Sequence, residues 1–291
     1  MLNWIDKRIK FFFAAPAIIL CVVMIVYPLI YSARMSLFEW NMSLKVQESW
    51  VGFSNYVALF KDPTFLQAIW FTVKFCMVSV AVEGLLGTAL ALFASKLKRG
   101  STFIKTSCIL PMVTTPIVIG MLWKMMMDPA IGVFNTLLKT IGLPTSLWLT
   151  STGTVFPSLV MISAWFGTPM IMLIVMSGIS SLPQDCYEAA YVDGATELQV
   201  VRKITLPLLK QSISVALILK MIDSLKTFDI IYSSTMGGPQ NSTINMNYLI
   251  YKNLFEYFKI GKASAALMVF LLMVFALTML MIFVKKRNEV E

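Results

Sequence analysis

Six stretches of the chain are apolar over the roughly twenty residues that a helix needs to cross hydrocarbon, and this feature decides the fold class. They are Phe11–Tyr31, Ala68–Phe93, Thr106–Met127, Val155–Ile179, Ser212–Ile231 and Ala263–Val284. The first, fourth and sixth carry no charge, whereas the second and fifth contain ionisable residues. With 58% hydrophobic and 13% charged residues, the chain is too apolar for a water-exposed globule. Lys7, Arg8 and Lys10 before the first run look like the start of a signal peptide, but the run continues to Tyr31 and no small-x-small cleavage site follows. The expected fold is therefore all-α: a polytopic membrane protein with six transmembrane helices, the first one retained.

The net charge of +9 does not indicate nucleic acid, because the basic residues sit in short clusters between apolar runs and topology explains them. With both termini inside, the cytoplasmic set is Lys7, Arg8, Lys10, Lys96, Lys98, Arg99, Lys105, Arg202, Lys203, Lys210, Lys285, Lys286 and Arg287. Arg34, Lys45, Lys61, Lys124, Lys139, Lys252, Lys259 and Lys262 fall outside, a smaller set on longer loops. There is no histidine, and the cysteines at 21, 76, 108 and 186 are far apart, so neither a metal site, a disulfide scaffold nor a catalytic centre is expected. The chain also lacks a G-x-x-x-x-G-K-[ST] phosphate loop, so ATP would have to be bound by another chain.

Between the fourth and fifth runs, residues 180–207 read as helix, turn, helix. Pro183 can begin the first helix, Gly194 supplies the break, and Ala195–Lys203 has the composition of a second short helix ending before Pro207. The segment contains Glu188-Ala189-Ala190, three residues, Gly194, nine residues, then Ile204-x-Leu206-Pro207. This resembles the EAA loop of binding-protein-dependent ABC importer permeases, with every element and both spacings kept. Ile109-Leu-Pro111, Trp123-Lys124 and Gly132-x-x-Asn135, then Thr235-Met-Gly237-Gly238-Pro239 and Gly261-Lys-Ala-Ser-Ala-Ala266, resemble the carbohydrate-uptake branch of that family, of the maltose and glycerol-3-phosphate type. Met236 departs from it, standing where a third glycine is common, and the large external domain of the maltose member is lacking.

The resemblance implies a permease subunit of an ATP-driven sugar importer in the bacterial cytoplasmic membrane. Its partners would be a second, homologous permease in a heterodimer, an ATPase dimer holding ATP and Mg, an extracytoplasmic solute-binding protein, and a sugar or sugar-phosphate substrate. It further implies that the helix bearing Glu188, Ala189, Ala190 and Asp193 docks on the ATPase as a cytoplasmic coupling helix. Alanines admit a partner closely, Glu188 offers a charge, and Gly194 sets the angle between helices. Without the second half of the pattern this would read as an ordinary interfacial helix.

Ionisable residues at membrane depth point to a solute pathway. In the fifth run Lys220, Ser224 and Thr227 recur at i, i+4 and i+7, with Asp223 nearby, and would share one helical face lining a cavity. Trp165, Phe166, Gly167 and Thr168 put an aromatic plane beside a close-approach glycine, which suits stacking on a sugar ring. Gly237-Gly238-Pro239 is an outer-loop turn that could also face solute. Structural pairing of Lys220 with Asp223, and packing of Trp165, are the bland alternatives. Lys74 and Glu83 cannot meet on one helix, and Glu83 would need Lys220 or a residue of a second permease.

The expected organisation is 1–67 as N-terminal tail, first helix and external loop, 68–284 as the transport domain with its EAA loop at 180–207, and 285–291 as a cytoplasmic tail. The rival reading is an ion-gradient-driven transporter or channel, which would also place Lys, Asp and Glu at the midplane. It leaves the EAA pattern unexplained.

Overall fold

The computed structural model describes residues 2–42, 48–97 and 101–290; Lys45, Lys98 and Arg99 lie outside these, as do the side chains of Lys7, Arg8, Lys10 and Lys105. The described residues are almost wholly helical, and they form two compact units, 1–65 with 249–273, and 66–248 with 274–291. Among them are five helices long and apolar enough to cross a membrane, or six if one bent pair counts as a single span.

In the first unit, α1 (Leu2–Met35) leads to a two-residue hairpin of β1 (Phe38–Glu39) and β2 (Ser49–Trp50), and then to α2 (Ser54–Lys61). The apolar stretch of α1 has no buried residue until its end, where Met35 is 1% exposed. Pro16 and Pro28 sit within it without ending it, because a helix in hydrocarbon has no water competing for its remaining backbone bonds. α12 (Met246–Tyr251) and a π-helical turn, Lys252–Glu256, lead into α13 (Ile260–Val290). Gly261 opens that helix where a Cβ would collide with the Phe38 carbonyl. Lys262 Nζ donates to Asp62 Oδ2 at 2.9 Å.

In the second unit, α3 (Pro63–Lys96, which begins in the first unit) and α7 (Val155–Ser180) contribute to two apolar clusters, one shared with residues 119–127 and 230–231 and the other with α10 (Leu206–Leu225). Phe75, Leu159, Ile162 and Ile231 lie in one, and Ala91, Ile171, Val175 and Leu209 in the other. The expected third span is not straight: α4 (Ser101–Val113) and α5 (Pro116–Met126) meet at 101°. Pro116 excludes the helical region for the residue before it, and Thr115 is extended (φ −67°, ψ 137°). The fifth span also begins and ends earlier than expected, running over Glu197–Leu225. α10 stops at Leu225, and a separate helix, α11 (Asp229–Ser234), completes the stretch to Ile231. The carbonyls freed by this break are taken by asparagines: Asn247 Nδ2 donates to Leu225 O at 3.0 Å, and Asn245 Nδ2 to Thr227 O. Irregular backbone at this depth is tolerable because neighbouring side chains satisfy it.

Beyond α5, α6 (Val133–Thr140) is held by Asn135, 2% exposed. Its Nδ2 donates to Pro129 O (3.0 Å) and Ser146 O (2.9 Å); its Oδ1 accepts from Ser146 N (3.0 Å) and Trp148 Nε1 (2.9 Å). Asp128 starts the same loop by accepting from the Ala130 and Ile131 amides, which hold its carboxyl below the usual range.

Two outcomes follow for stability. Asn135→Leu removes four part-buried hydrogen bonds at about 1 kcal/mol each, so the purified chain should melt several degrees lower by thermal denaturation in detergent. Burial pushes the Asp62 carboxyl up, but the Lys262 ammonium and the Thr64 amide more than offset this, so its folded value lies below its ordinary 3.8. The pair therefore stabilises above that value and is lost as pH falls through the folded one. Lys262→Met should melt lower than wild type at neutral pH, and the gap should close in acid.

Candidate functional site

Residues 185–225 run from an exposed surface helix to a buried ion pair. α8 (Asp185–Val192) has no buried residue, with Glu188 and Ala189 exposed and Ala190 half-buried. Asp193 ends it and Gly194 turns the chain at φ +74°, where a Cβ would meet nothing within 4 Å; the requirement for glycine is conformational, not steric. Thr196 then caps α9 (Glu197–Val200) in a capping box: its Oγ1 accepts from the Gln199 amide, and Gln199 Oε1 accepts from the Thr196 amide at 2.8 Å.

The second helix does not end before Pro207. α9 passes through a π-helical turn, Val201–Thr205, straight into α10. Pro207 follows directly on the π turn, whose wider hydrogen-bond loop accommodates the proline's missing N–H within the continuing helix. Ile204 and Leu206 are half-buried and Pro207 exposed. Two contacts brace the segment. Lys96 Nζ pairs with Glu197 Oε2 at 2.5 Å, and Tyr187 Oη donates to Thr205 Oγ1 at 3.2 Å. A cleft of about 390 Å³ between the ends of α3 and α7 and this segment is lined by Lys96, Gln184, Tyr187, Glu188, Tyr191 and Glu197, among others.

At the far end of α10, Lys220 is 3% exposed and Glu83 0%. Lys220 Nζ lies 3.0 Å from Asp223 Oδ2 and 3.5 Å from Glu83 Oε2. The second Glu83 oxygen accepts from Ser163 Oγ at 2.7 Å. Three helices thus meet at one charge cluster, and Gly167 of α7 is the reason they can. A Cβ there would stand 2.5 Å from Glu83 Oε2 and 2.6 Å from Lys220 Cε. Glu83 therefore pairs within the chain. Lys74 instead lies over the Phe156 ring, 4.4 Å from its centroid.

Two adjoining cavities, of about 400 and 160 Å³, share Phe166, Lys220, Asp223 and Lys226 as walls. Gly167 lines the larger, Ser163, Thr227 and Asp229 the smaller. The shared face expected of Lys220, Ser224 and Thr227 is only partly formed. Thr227 lies beyond the end of α10, its wall position set by the break, and Ser224 is buried and lines neither cavity. Trp165 and Thr168 face a different space. They line an apolar cavity of about 470 Å³ with Leu86, Pro111 and Trp123, and the Trp165 and Trp123 rings meet edge-on at 5.8 Å. Residues two apart on a helix point about 200° apart, so Trp165 and Gly167 cannot serve one wall. The outer turn is packed: Gly237 (φ +80°) has Ile244 and Tyr248 at 2.7–2.8 Å from where a Cβ would be, and Thr243 Oγ1 donates to Gly238 O at 2.7 Å. Pro239 follows a cis bond, and Met236, at φ +50°, adopts the conformation that glycine favours.

Against known proteins, residues 84–289 match the family described as the binding-protein-dependent transport system inner membrane component. The chain belongs to this family. Similar proteins include a probable ABC transporter permease, y4oQ, of Sinorhizobium fredii, 33% identical over 91% of this chain and 86% of that one. The trehalose/maltose transport system permease MalF of Thermococcus litoralis is 32% identical over 96% and 95%. The same fold is seen in the crystal structure of a bacterial ABC transporter involved in the import of alginate, with a TM-score of 0.86, 24% identity and 99% of both chains covered. The permease is thus a multi-pass membrane subunit of an ABC transporter.

Sequence reasoning missed Asn245, Asn247 and Ser163 in this permease. The asparagines carry no periodic signal because they serve a break that the apolar run conceals, and Ser163 is one small residue within an uninterrupted hydrophobic stretch. Removing one partner of the buried pair is the costly change: Glu83→Ala should destabilise the permease by about 3–5 kcal/mol, more than the loss of an exposed pair such as Lys96–Glu197. Melting of the two variants, Glu83→Ala and Glu197→Ala, side by side checks it.

Proposed function

We propose that this permease forms half of the translocation pathway of an ATP-driven importer for a sugar or sugar phosphate, and that residues 185–207 couple it to a separate ATPase. The observation that carries the reading is continuity: an exposed helix bearing Glu188-Ala189-Ala190 turns at Gly194 into a helical rod that reaches the Lys220 cavity. A push on α8 is delivered to the cavity wall without an intervening loop after Gly194. The relatives named for trehalose and maltose transport support a sugar as cargo.

In this reading the cavity walls are Lys220, Asp223, Thr227 and Gly167. Donors and acceptors of both signs stand beside the Phe166 ring, a surface suited to hydroxyl groups and sugar-ring faces. Trp165 and Thr168, on the other side of α7, serve helix packing or the partner permease. Ser224 keeps α10 in place, and Gly237-Gly238-Pro239 closes the outer end.

The remaining parts lie on other chains: a second, homologous permease supplies the facing half, an ATPase dimer binds ATP and Mg, and an extracytoplasmic binding protein delivers the solute. A bacterial transporter solved with its solute-bound periplasmic protein, of like fold, supports that last partner. Both termini and the 185–207 segment lie in the cytoplasm, where the Lys and Arg clusters place them. Residues 68–284 act as the transport domain, with 1–67 an added first span and its loop, and 285–291 a short tail.

Co-purification with the partner chains tests the coupling. Glu188→Lys reverses the charge offered to the ATPase, and Gly194→Asp strains the turn. Both variants should remain in the membrane yet lose the ATPase or its stimulation by solute-loaded binding protein at least tenfold. Unchanged ATPase recovery and stimulation in both would refute the coupling role and favour the ion-driven reading.

A further inference from the structure

The short helix α2 has two faces of opposite character. One face is fixed to the end of α1: Asn55 Nδ2 donates to the carbonyls of Ser36 and Phe38, both at 2.9 Å, and the Tyr56 and Ser36 hydroxyls share a hydrogen bond of 2.7 Å. Leu59, on the same side, is fully buried. The other face carries Phe53 at its cap, then Val57 and Phe60, spaced i, i+4 and i+7, and these are 72%, 53% and 52% exposed. Trp50, at the end of the preceding strand, is 64% exposed. Lys61 closes the helix.

The hydrogen bonds set where this face stands. They tie α2 to Ser36 and Phe38, immediately past Met35, the last residue of a span whose apolar stretch is exposed all round. Two residues beyond α2, α3 begins its own apolar run. A helix held flush with one span's end and joined to the next span's start lies at the depth of lipid headgroups. Its exposed residues are two phenyl rings, a valine and an indole with basic neighbours Lys61 and Arg34, the composition of an interfacial belt. The exposed apolar residues of α1, to whose end α2 is tied, are ones that bilayer hydrocarbon must cover if α1 spans it.

We propose that α2 is a membrane-interface helix, whose Phe53–Val57–Phe60 face inserts among phospholipid acyl chains just beneath the headgroups. There it anchors the start of α3 against vertical movement. The inference depends on the spans alone and not on what the permease carries.

The test uses the full chain with its partner subunits in phosphatidylcholine–phosphatidylglycerol vesicles. A nitroxide is placed at Val57→Cys in a Cys21→Ser, Cys186→Ser background, with Lys139→Cys, an exposed site in the last turn of α6, as the aqueous control. Collisions with oxygen, which partitions into lipid, are compared with collisions with a water-soluble nickel chelate. The expected result is an oxygen-to-nickel ratio several-fold above that of the control, and the same at Phe60→Cys should the first variant fail to assemble. A ratio equal to the control places the face in water and overturns the proposal. Exclusion of both reagents overturns it too, and assigns the face to a protein partner, the second permease or the binding protein.

Discussion

A glutamate of α3 and a lysine of α10 meet across Gly167 of α7, which has no side chain, and the arrangement of the second unit depends on that meeting. Both charges are withdrawn from bulk water: Glu83 is wholly buried, and Lys220 keeps only a small exposed edge at the cavity wall. In hydrocarbon such groups are tolerable only as partners, and the pair needs further hydrogen bonds to offset its desolvation. Ser163 of α7 donates to Glu83, and Asp223, one turn along α10, accepts from Lys220. Apolar packing between spans is non-directional, because lipid tails are as greasy as leucine, so a polar contact of fixed geometry sets the register of the bundle. Gly167 is the steric condition for that contact, and any larger residue would separate the partners.

The same cluster explains how a buried ion pair can also furnish a cavity wall. Asp223 is half exposed while Glu83 is sealed, so Lys220 is held from behind by one carboxylate and shares the open side with the other. α10 ends five residues later, and Lys226, Thr227 and Asp229 turn outward into the same space. An unbroken helix would also have kept Thr227 on the Lys220 face; the break sets it beyond the end of α10, where it lines the smaller cavity together with Asp229. Asn245 and Asn247 make the break affordable, since each carbonyl they cap would otherwise face an apolar interior.

How far the sequence revealed this follows from the range of each interaction. Span number and all-helical class are summed over about twenty residues apiece, and single errors do not upset them. The turn at Gly194 was legible because glycine answers a local backbone demand. The bend before Pro116 was equally local, written in a proline and the residue preceding it, but the apolar run from Thr106 to Met127 masked it. The end of α10 was hidden for another reason: Leu225 to Ile231 contains nothing that forbids helix, and only the distant asparagines make termination cheaper than continuation. Glu83 was recognised as needing a partner, but which partner depended on the packing of α3 against α7 and α10. The division of Trp165 from Gly167 needed the positions of neighbouring helices, although their angular separation on α7 was calculable from the sequence.

The contrast between the two ends of the 185–225 segment bears on the proposed coupling. Near the cavity, α10 is fixed by charge, by the buried Leu209, Ala216 and Met221, and by Asp223. At the other end, α8 buries nothing of its own, and the side of Gly194 where a Cβ would lie is open. Its bracing comes from the Tyr187–Thr205 hydrogen bond and, through α9, the exposed Lys96–Glu197 pair, both weak and exchangeable with water. A helix so loosely held gains its position from whatever it docks against, whereas the rod behind it resists bending. The π turn at Val201–Thr205 is the point where these regimes meet, because its wider hydrogen-bond loop is the least regular part of the rod. Motion imposed on α8 would then be divided between bending at Gly194 and rotation of α10 as a body, and the buried pair at the far end would turn that rotation into a displacement of Lys220 at the cavity wall.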